Sequence, residues 1–284
     1  MEPLEYNGTP KPGHYYTGMP NADYHRAHGV SKSGLDLIDR SPGHFRYSAP
    51  RKSTRAMEIG TAIHTAILEP ERFAREYMLL KEVTDRRSSE YKQAVKVYGS
   101  EYVLTASEAD KVAGMQESVY ANPHARKLLE SDGWSEMSGF AEDPETGILC
   151  RHRADRLTAD GVMLDVKKTQ DARSWPFSKS IDNYRYHVQA AFYADQYEWI
   201  IGDRLDAFMF LAIEEEMPHG VKLYRLDEET LRQGRLEYRE NLNTYAQCKE
   251  RGEWPTYELD GPELIGLPSW RMAQIESEEA EGIY

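Results

Sequence analysis

Two aspartates and a lysine stand close together in the segment 147–167, where Asp155, Asp165 and Lys167 flank a turn signal at 159–161. Gly161 can adopt the left-handed conformation that a three-residue hairpin loop requires. In such a hairpin the residues beside the loop face each other, and three positions further along each strand Asp155 faces Asp165. Lys167 lies two residues beyond Asp165 and projects from the same face. The spacing therefore predicts that two carboxylates and an ammonium group converge.

This combination is typical of a site for a divalent cation that acts on a phosphate. Neighbouring carboxylates repel one another unless a cation lies between them, and their hard oxygen atoms suit Mg²⁺ or Mn²⁺. Such an ion would bind a phosphate oxygen and lower the pKa of an attacking water. Lys167 could position that water, or deprotonate it if neighbouring cations lower the lysine pKa. The alternative is a solvated hairpin with weak surface ion pairs, but Leu164 and Val166 alternate with the charged positions and indicate a strand with one buried face.

Two helical motifs carry further candidate residues. In Gly60-Thr-Ala-Ile-His64 the glycine and the histidine lie one turn apart on one helix face, so His64 is either a metal ligand or a core histidine. Gln189 and Tyr193 lie four residues apart on an alanine-rich helix. They either reach a phosphate or Lys167 by hydrogen bonding, or they only pack against a neighbouring element.

The hydrophobic pattern predicts the elements that must position these residues. Predicted helices are 34–40 with Ser33 as N-cap, 56–68, 107–130 with a capping box from Thr105 to Glu108, 186–199 and 228–251. Predicted strands are three antiparallel ones within 136–169, followed by 207–213 and 221–226, and the segment 85–100 is either a loop or an exposed helix. The fold class is therefore mixed α/β (α+β), with a mixed central sheet flanked by helices. We expect an extended arm over 1–20, one domain over 21–270 and an acidic tail over 271–284.

Composition limits the class of protein. The 284 residues are 40% hydrophobic, which is sufficient for a core, and we expect a cytoplasmic protein because no apolar run is long enough to cross a membrane and no signal peptide pattern is present. The two cysteines, Cys150 and Cys248, are too few for an iron–sulfur cluster and are expected to be buried hydrophobes.

The net charge of −13 opposes binding to DNA unless cations or a local basic groove reverse the sign. Charges are distributed unevenly along the chain. The segment 40–55 is rich in basic residues, which are Arg40, Arg46, Arg51, Lys52 and Arg55. The C-terminal tail is rich in acidic residues, which are Glu276, Glu278, Glu279 and Glu281.

The motif order Gly-x-x-x-His, Asp, Asp-x-Lys and Gln-x-x-x-Tyr resembles the RecB-like and lambda-exonuclease-like nucleases of the PD-(D/E)xK superfamily. Longer runs resemble the nuclease domain of the RecE (exonuclease VIII) family, from about Tyr24 to the segment Leu267-Pro-Ser-Trp270. These runs are Gly29-Val-Ser-Lys-Ser33, Gly60-Thr-Ala-Ile-His64 with Leu68-Glu-Pro70, Glu142-Asp-Pro-Glu-Thr-Gly-Ile-Leu-Cys150, Asp165-Val-Lys167 and Tyr184-Arg-Tyr-His-Val-Gln189.

The resemblance implies an exonuclease that uses Mg²⁺, with Mn²⁺ as a substitute, to degrade one strand of linear double-stranded DNA from its 5′ end. It implies catalytic roles for Lys167, Asp155, Asp165, Glu136, Gln189 and Tyr193, and metal ligation by His64, Asp155, Asp165 and the backbone carbonyl of Val166. It also implies a homo-oligomeric ring, a trimer or a tetramer, and a RecT-like single-strand annealing protein as partner. Because this chain begins almost directly at the nuclease region, we expect a stand-alone exonuclease.

A further hypothesis concerns the 5′-terminal phosphate. Ser31, Lys32 and Ser33 begin a predicted helix, where free backbone amides favour an anion, and Arg26 is close in sequence. The alternative is that Ser33 is only an N-cap. Two other functions are open at this point: a structure-specific endonuclease or junction resolvase on the same fold, and a non-catalytic DNA-binding or annealing module.

Overall fold

A computed structural model describes residues 2–49, 53–257 and 261–281 of the chain, and a mixed sheet runs through its centre. The strands are β1 (Leu4–Glu5), β2 (His14–Thr17), β3 (Met78–Leu80), β4 (Val103–Thr105), β5 (Gly133–Glu142), β6 (Leu149–Thr158), β7 (Val162–Thr169), β8 (Ala207–Glu214) and β9 (Val221–Arg225). The seven strands of the central sheet follow the order β1-β2-β5-β6-β7-β8-β9, and β3 pairs with β4 in a separate small sheet.

Helices lie on both sides of this sheet. They are α1 (Asn21–Arg26), α2 (Lys32–Arg40), α3 (Pro42–Arg46), α4 (Arg55–Leu68), α5 (Pro70–Glu76), α6 (Ser89–Tyr98), α7 (Ala106–Ala121), α8 (Pro123–Glu130), α9 (Ser174–Asn183), α10 (Tyr186–Ile201), α11 (Glu228–Arg251) and α12 (Ser269–Ala280). The predicted fold class, a mixed sheet flanked by helices, is confirmed.

The strands β5, β6 and β7 form the antiparallel meander that the sequence predicts. Gly161 has a φ of 84°, as the short loop between β6 and β7 requires. Leu157 pairs with Met163 and Arg156 with Leu164, which is the predicted register. After this meander β8 runs parallel to β7, and β9 returns antiparallel to β8. Local turn geometry therefore fixes the part of the sheet that carries the candidate site.

Two apolar layers hold the sheet between helices. On one side, Ile63 of α4 and Met115 of α7 belong to a buried cluster with Val166 of β7. On the other side, Phe177 of α9 and Ala190 of α10 are buried with a second set of sheet residues. The helices α4 and α10 are thus fixed against opposite sides of β7, and these two helices carry His64 and Gln189.

Several expectations are corrected by the structure. Residues 2–20 do not form a separate arm, because β1 and β2 extend the central sheet and Tyr15 and Tyr16 are each only 3% exposed. The N-cap of α2 is Ser31 rather than Ser33, since the Ser31 hydroxyl accepts the hydrogen bond from the Gly34 amide. The predicted helix 107–130 is divided into α7 and α8, because Pro123 begins a new helix that is capped by the side chain of Asn122.

The structure also answers the expectations for the segment 85–100, the capping box and the two cysteines. The segment 85–100 contains the helix α6, and the capping box between Thr105 and Glu108 is present. Cys150 and Cys248 are both buried, as predicted. Across residues 2–49, 53–257 and 261–281, none of the helices combines the length and the apolar character that crossing a bilayer demands.

Candidate active site

Three carboxylates lie in a row across adjacent strands of the meander. The pairs Ser135–Arg156 and Met137–Ala154 place Glu136 of β5 opposite Asp155 of β6. Extending the register of β6 and β7 by one residue places Asp155 opposite Asp165. The sequence predicted the second of these juxtapositions, whereas Glu136 entered only through the family resemblance.

The backbone is distorted where this row crosses the sheet. Glu136 has a φ of 52°, in the left-handed region that non-glycine residues rarely adopt. Neither Glu136 nor Asp155 belongs to a paired position between β5 and β6, and the pairing of β6 with β7 ends at Arg156. Beyond this point the Val166 amide donates a hydrogen bond to Asp155 Oδ2, with a length of 2.7 Å. The Asp155 carboxylate therefore accepts the Val166 amide in place of a backbone carbonyl, at the point where β6 and β7 separate.

His64 completes a group of potential metal ligands. Its Nδ1 lies 3.5 Å from Asp155 Oδ2, and one ligand atom each from His64, Glu136 and Asp155 lie within 4.8 Å of one another. A histidine nitrogen and two carboxylate oxygens suit a divalent ion such as Mn²⁺ or Mg²⁺. The helix α4 brings His64 to this position by packing Ile63 and Ile67 against the sheet. The chemistry of this donor set fits a metal ion.

Cations of the protein compensate the row only in part. Arg153 lies beside Glu136 and Lys167 beside Asp165, whereas Asp155 has no lysine or arginine at ion-pair distance among the described residues. Burial raises the pKa of Glu136 to about 7, although Arg153 opposes the shift from a distance of 3.8 Å. Burial also raises the pKa of Asp155 well above its usual range, and the neighbouring Asp165 and Glu136 raise it further. Crowded carboxylates with raised pKa values favour the binding of either protons or a metal ion. This electrostatic pattern independently supports a cation site.

Asp165 is held differently from the other two carboxylates. Gln189 Nε2 donates a hydrogen bond to Asp165 Oδ1 over 2.5 Å, and Lys167 Nζ lies 2.6 Å from Asp165 Oδ2. The Lys167 contact is an ion pair without hydrogen-bond alignment, so this buried oxygen has no hydrogen-bond partner among the described residues. Asp165 is also a predicted metal ligand. In the structure its carboxylate contacts the Lys167 amine and the Gln189 amide, next to the cluster of His64, Glu136 and Asp155.

Lys167 is anchored on several sides. Its Nζ donates a hydrogen bond to Gln189 Oε1 over 2.8 Å and lies 4.4 Å above the centre of the Tyr186 ring. Burial alone would lower the lysine pKa, but the charges of Asp165 and Asp155 outweigh burial, and the pKa of Lys167 is raised. The hypothesis that Lys167 removes a proton from water required a lowered pKa. The structure instead favours an ammonium group that positions a ligand.

Tyr193 and the Val166 carbonyl occupy supporting positions. The ring of Tyr193 packs 4.9 Å from that of His152, and burial raises its pKa well above the usual range, so its hydroxyl stays protonated. His64 has a pKa lowered by burial, and a hydrogen bond to the Val166 backbone acts in the opposite direction. The predicted carbonyl of Val166 therefore lies beside the His64 ring.

A cleft of about 710 Å³ opens over Glu136 and Asp155. Arg153, which the sequence analysis missed, lines this cleft and donates a hydrogen bond to Ser138 Oγ over 2.9 Å. Its position two residues before Asp155 on the same strand was the available signal. Arg72 and Arg75 of α5 also line the cleft, so cations border an otherwise acidic site.

The residues predicted to bind a 5′-phosphate do not form one pocket. Arg26 pairs with Asp23 over 2.5 Å and borders a different cleft, which contains Tyr6 and His28. Ser31 Oγ and Ser33 Oγ are 3.0 Å apart at the beginning of α2.

Lys32 turns towards the active site instead. Its Nζ donates a hydrogen bond to the Tyr184 carbonyl over 2.6 Å and pairs with Asp36 over 2.8 Å. Burial lowers the pKa of Lys32, and the positive charges of Lys167 and Arg185 lower it further, so Lys32 belongs to the cations around the site.

The basic segment 40–55 provides less free charge than expected. Arg55 is directed into the protein, where it pairs with Glu58 over 2.9 Å and with Glu108 over 2.5 Å. Arg40 and Arg46 are exposed. Arg51 and Lys52 lie outside the described residues.

Comparisons with known proteins agree with this geometry. The model of a family described as "PDDEXK-like domain of unknown function (DUF3799)" matches residues 39–260. A crystal structure from Eubacterium rectale, of a protein described only provisionally as an exonuclease, covers 91% of this chain and 98% of its own with a TM-score of 0.61 and 11% identity, which shows a shared fold. A structure of the protein SSO0001 covers 68% of this chain and 88% of its own at 13% identity, but its TM-score of 0.28 carries no argument.

No curated protein matches the sequence. The family match covers most of the chain and includes Asp155, Asp165 and Lys167. The chain therefore belongs to the DUF3799 family and has the PDDEXK-like fold of nucleases.

Proposed function

We propose that this chain is a cytoplasmic exodeoxyribonuclease that depends on a divalent metal ion and degrades one strand of linear double-stranded DNA from the 5′ end. The observation that carries the proposal is the row Glu136, Asp155 and Asp165, with His64 on one side and Lys167 on the other. Its acidic ligands, its buried amine and its position in a PDDEXK-like fold together match hydrolysis of a phosphodiester.

His64, Glu136 and Asp155 are the residues that would hold the ion, and Asp165 stands beside them. A bound Mg²⁺ or Mn²⁺ supplies Lewis-acid chemistry, because it polarises a phosphate oxygen and lowers the pKa of a water. The raised pKa values of Glu136 and Asp155 imply that both carboxylates gain from a cation at this place.

In this proposal Lys167 and Gln189 position other groups of the site and do not accept protons. The Gln189 amide contacts both Asp165 and Lys167, so one side chain fixes the separation of the carboxylate and the amine. The ammonium group, kept charged by Asp165 and Asp155, is suited to bind a phosphate oxygen or the attacking water. The Tyr186 ring covers one side of the ammonium group, with its centre 4.4 Å from the nitrogen.

The remaining parts of the proposal rest on the resemblance to RecE-like nucleases. They are the polarity of digestion, a trimeric or tetrameric ring around DNA, and a RecT-like annealing protein that would use the 3′ tails in recombination. Lys32 and the serines at the beginning of α2 are the candidates for contact with a 5′-terminal phosphate, since Lys32 lies among the cations near Lys167. Equal digestion of phosphorylated and unphosphorylated 5′ ends would remove this contact from the proposal.

The decisive experiment follows nucleotide release from linear duplex DNA labelled at either the 5′ or the 3′ end. We expect release from the 5′ end with Mg²⁺ or Mn²⁺ and none in EDTA. The variant Asp165→Asn should be inactive, and the surface variant Asp203→Asn serves as the matched control because Asp203 is exposed and distant in sequence from the row.

Two alternative functions are outcomes of the same experiment. Covalently closed circular DNA should stay intact, and its cleavage would instead establish an endonuclease on this fold. A non-catalytic DNA-binding module would bind the duplex equally with and without metal and release no nucleotide, and Asp165→Asn would then behave as the wild type.

A further inference from the structure

A second cleft lies beside the candidate active site, at the end of β7 that follows Lys167. Its volume is about 430 Å³. The side chains that matter for its chemistry come from α9 and from the connection to α10, and they are Lys179, Asn183, Tyr184 and Tyr186. Tyr186 is shared with the active site, because its ring lies under the Lys167 ammonium group. This second region, which we name the α9 cleft, is therefore continuous with the candidate catalytic amine.

Aromatic rings line the path away from Lys167. The rings of Tyr186 and Tyr184 are stacked, with centroids 5.5 Å apart and planes inclined by 27°. Tyr184 is 61% exposed, and Trp175 at the other end of α9 is 72% exposed. Side chains as large and apolar as these are usually covered in a folded protein. Tyr184 lines the cleft, and Trp175 lies beside the cleft residue Lys179, so the two exposed rings offer flat surfaces near the cleft for a ligand with π-faces.

Free positive charge accompanies the rings. Trp175, Lys179 and Asn183 recur at intervals of four residues and share one face of α9. Lys179 Nζ lies 5.1 Å from the Trp175 ring, and Lys222 Nζ contacts Ser174 Oγ over 2.9 Å at the beginning of the same helix. Within the described parts of the chain, neither lysine has a carboxylate at ion-pair distance.

The acidic side chains that border the α9 cleft are already paired. Asp171 forms an ion pair with Arg173 over 2.6 Å. Glu215 forms ion pairs with Lys168 over 3.0 Å and with Lys111 over 3.1 Å. In a chain with a net charge of −13, this combination of neutralised acids and free lysines makes the cleft a local site for an anion.

We infer that the α9 cleft binds an unpaired strand of DNA next to the scissile phosphate, with bases stacked on Tyr184 and Trp175 and the backbone beside Lys179 and Lys222. This inference rests on the proposed function and adds a substrate class to it. Aromatic platforms with interspersed cations are the arrangement that proteins use for single strands without sequence preference. Duplex DNA keeps its base faces stacked inside the helix, so exposed rings match an unpaired strand better than a duplex.

The test measures binding of a fluorescently labelled oligothymidylate to the whole protein by anisotropy in EDTA, where no cleavage can occur. We expect Tyr184→Ala and Trp175→Ala each to weaken binding roughly ten-fold, as stacked bases generally require. Lys179→Glu should weaken binding and reduce the salt dependence of the binding constant by about one charge. The strand should also quench the intrinsic fluorescence of the wild type more than that of Trp175→Phe.

Matched controls carry the same changes on a distant helix. Tyr98→Ala and Lys96→Glu alter an exposed tyrosine and an exposed lysine of α6, and both should bind the strand as the wild type does. Equal affinity of the wild type and of the variants Tyr184→Ala, Trp175→Ala and Lys179→Glu would overturn the inference. So would a change of oligomeric mass in Trp175→Ala with unchanged affinity per subunit, since the patch would then be an interface between copies of the chain.

The outcome is separable from the proposed function. If the cleft variants no longer bind the single strand but no divalent ion supports release of nucleotides from a duplex, the inference about the α9 cleft is supported and the nuclease proposal is wrong. If the wild type digests duplex DNA and the α9 variants bind single strands normally, the nuclease proposal stands and the cleft fails.

Discussion

Two aspartates of the β5–β6 hairpin, the buried Asp143 and the half-buried Asp155, have opposite surroundings. Asp143, at the turn between β5 and β6, is 0% exposed, yet its oxygens accept hydrogen bonds from the Thr146 amide over 2.9 Å and the Thr146 hydroxyl over 2.6 Å. Arg239 of α11 supplies the counter-charge over 2.5 Å. Asp155, further along β6, receives one hydrogen bond from the Val166 amide and faces two other carboxylates.

This contrast shows that burial of a carboxylate does not by itself indicate function. The indication of a functional site is a carboxylate whose charge is not compensated by hydrogen-bond donors and a cation of the protein. A buried carboxylate with donors and a cation stabilises the fold, whereas crowded carboxylates cost stability until another cation arrives. Asp143 is thus expected to act on folding alone. Asp155 and Glu136 are expected to act on metal binding, at some expense of stability in the metal-free protein.

The largest expected effect is the loss of activity in Asp155→Asn. This change keeps the shape of the side chain but removes one charged oxygen ligand beside His64 and Glu136. The initial rate of nucleotide release from labelled linear duplex with excess Mg²⁺ should fall by at least about 1000-fold. The metal-free variant should melt no lower than the wild type. A rate within ten-fold of the wild type would show that Asp155 is not a ligand.

The next effect concerns the compensated aspartate. Arg239→Ala leaves the Asp143 carboxylate buried without its cation and should lower the free energy of unfolding by about 3–5 kcal/mol. Urea denaturation of the wild type and the variant measures this difference. The rate per folded molecule should not change, and Arg232→Ala is the control, because the ion pair of Arg232 with Glu229 on the same helix is exposed on both sides. An unchanged unfolding free energy would mean that the Asp143–Arg239 pair does not stabilise the turn.

The sequence predicted the juxtaposition of Asp155 and Asp165 because the relevant geometry is local. A three-residue loop with Gly161 determines how β6 pairs with β7, and that register alone places Asp155 opposite Asp165. The distortion at Glu136 could not be predicted, since its positive φ and the broken pairing depend on three strands and α4 together. The different contacts of Asp155 and Asp165 could not be predicted either, because the contact of Asp165 depends on Gln189 of α10.

Other failures have the same origin in contacts between distant segments. Lys32 was predicted to share a 5′-phosphate pocket with Arg26, but its amine contacts the Tyr184 carbonyl, which is 152 residues away in sequence. Residues 1–20 lacked an obvious period, and β2 joins the central sheet through β5, a strand that is distant in sequence. Nonlocal hydrogen bonds and ion pairs of this kind leave no signature in the spacing of residues.

A smaller effect should distinguish the two aspartates by metal binding. Mg²⁺ at about 100 times its dissociation constant should stabilise the wild type by about 2.7 kcal/mol, because a ligand that binds only the folded state adds to its stability. Asp155→Asn should lose this gain, and Asp143→Asn should keep it despite a lower starting stability. Urea midpoints with Mg²⁺ and with EDTA provide the measurement. Equal gains in both variants would place the bound ion elsewhere in the molecule.

The smallest expected effect is a pH dependence in EDTA. The pKa of Glu136 is raised from 4.5 to about 7 in the folded protein, so between these values the folded state holds a proton that the unfolded chain has released. The free energy of unfolding should therefore fall as pH rises through this window, by at most roughly 3 kcal/mol for this residue, and solvent screening of its partly exposed side chain reduces the fall further.

Glu136→Gln tests the origin of that fall, because the amide does not titrate and keeps the shape of the side chain. The difference in unfolding free energy between the variant and the wild type should be small near pH 4.5 and should favour the variant near pH 7.5. Saturating Mg²⁺ should reverse the order at the higher pH, since the ion supplies the charge that the row lacks. Parallel curves for the two proteins from pH 4.5 to 7.5 would mean that Glu136 is ionised throughout. Arg153, at 3.8 Å, would then be sufficient to compensate the Glu136 carboxylate in the folded protein.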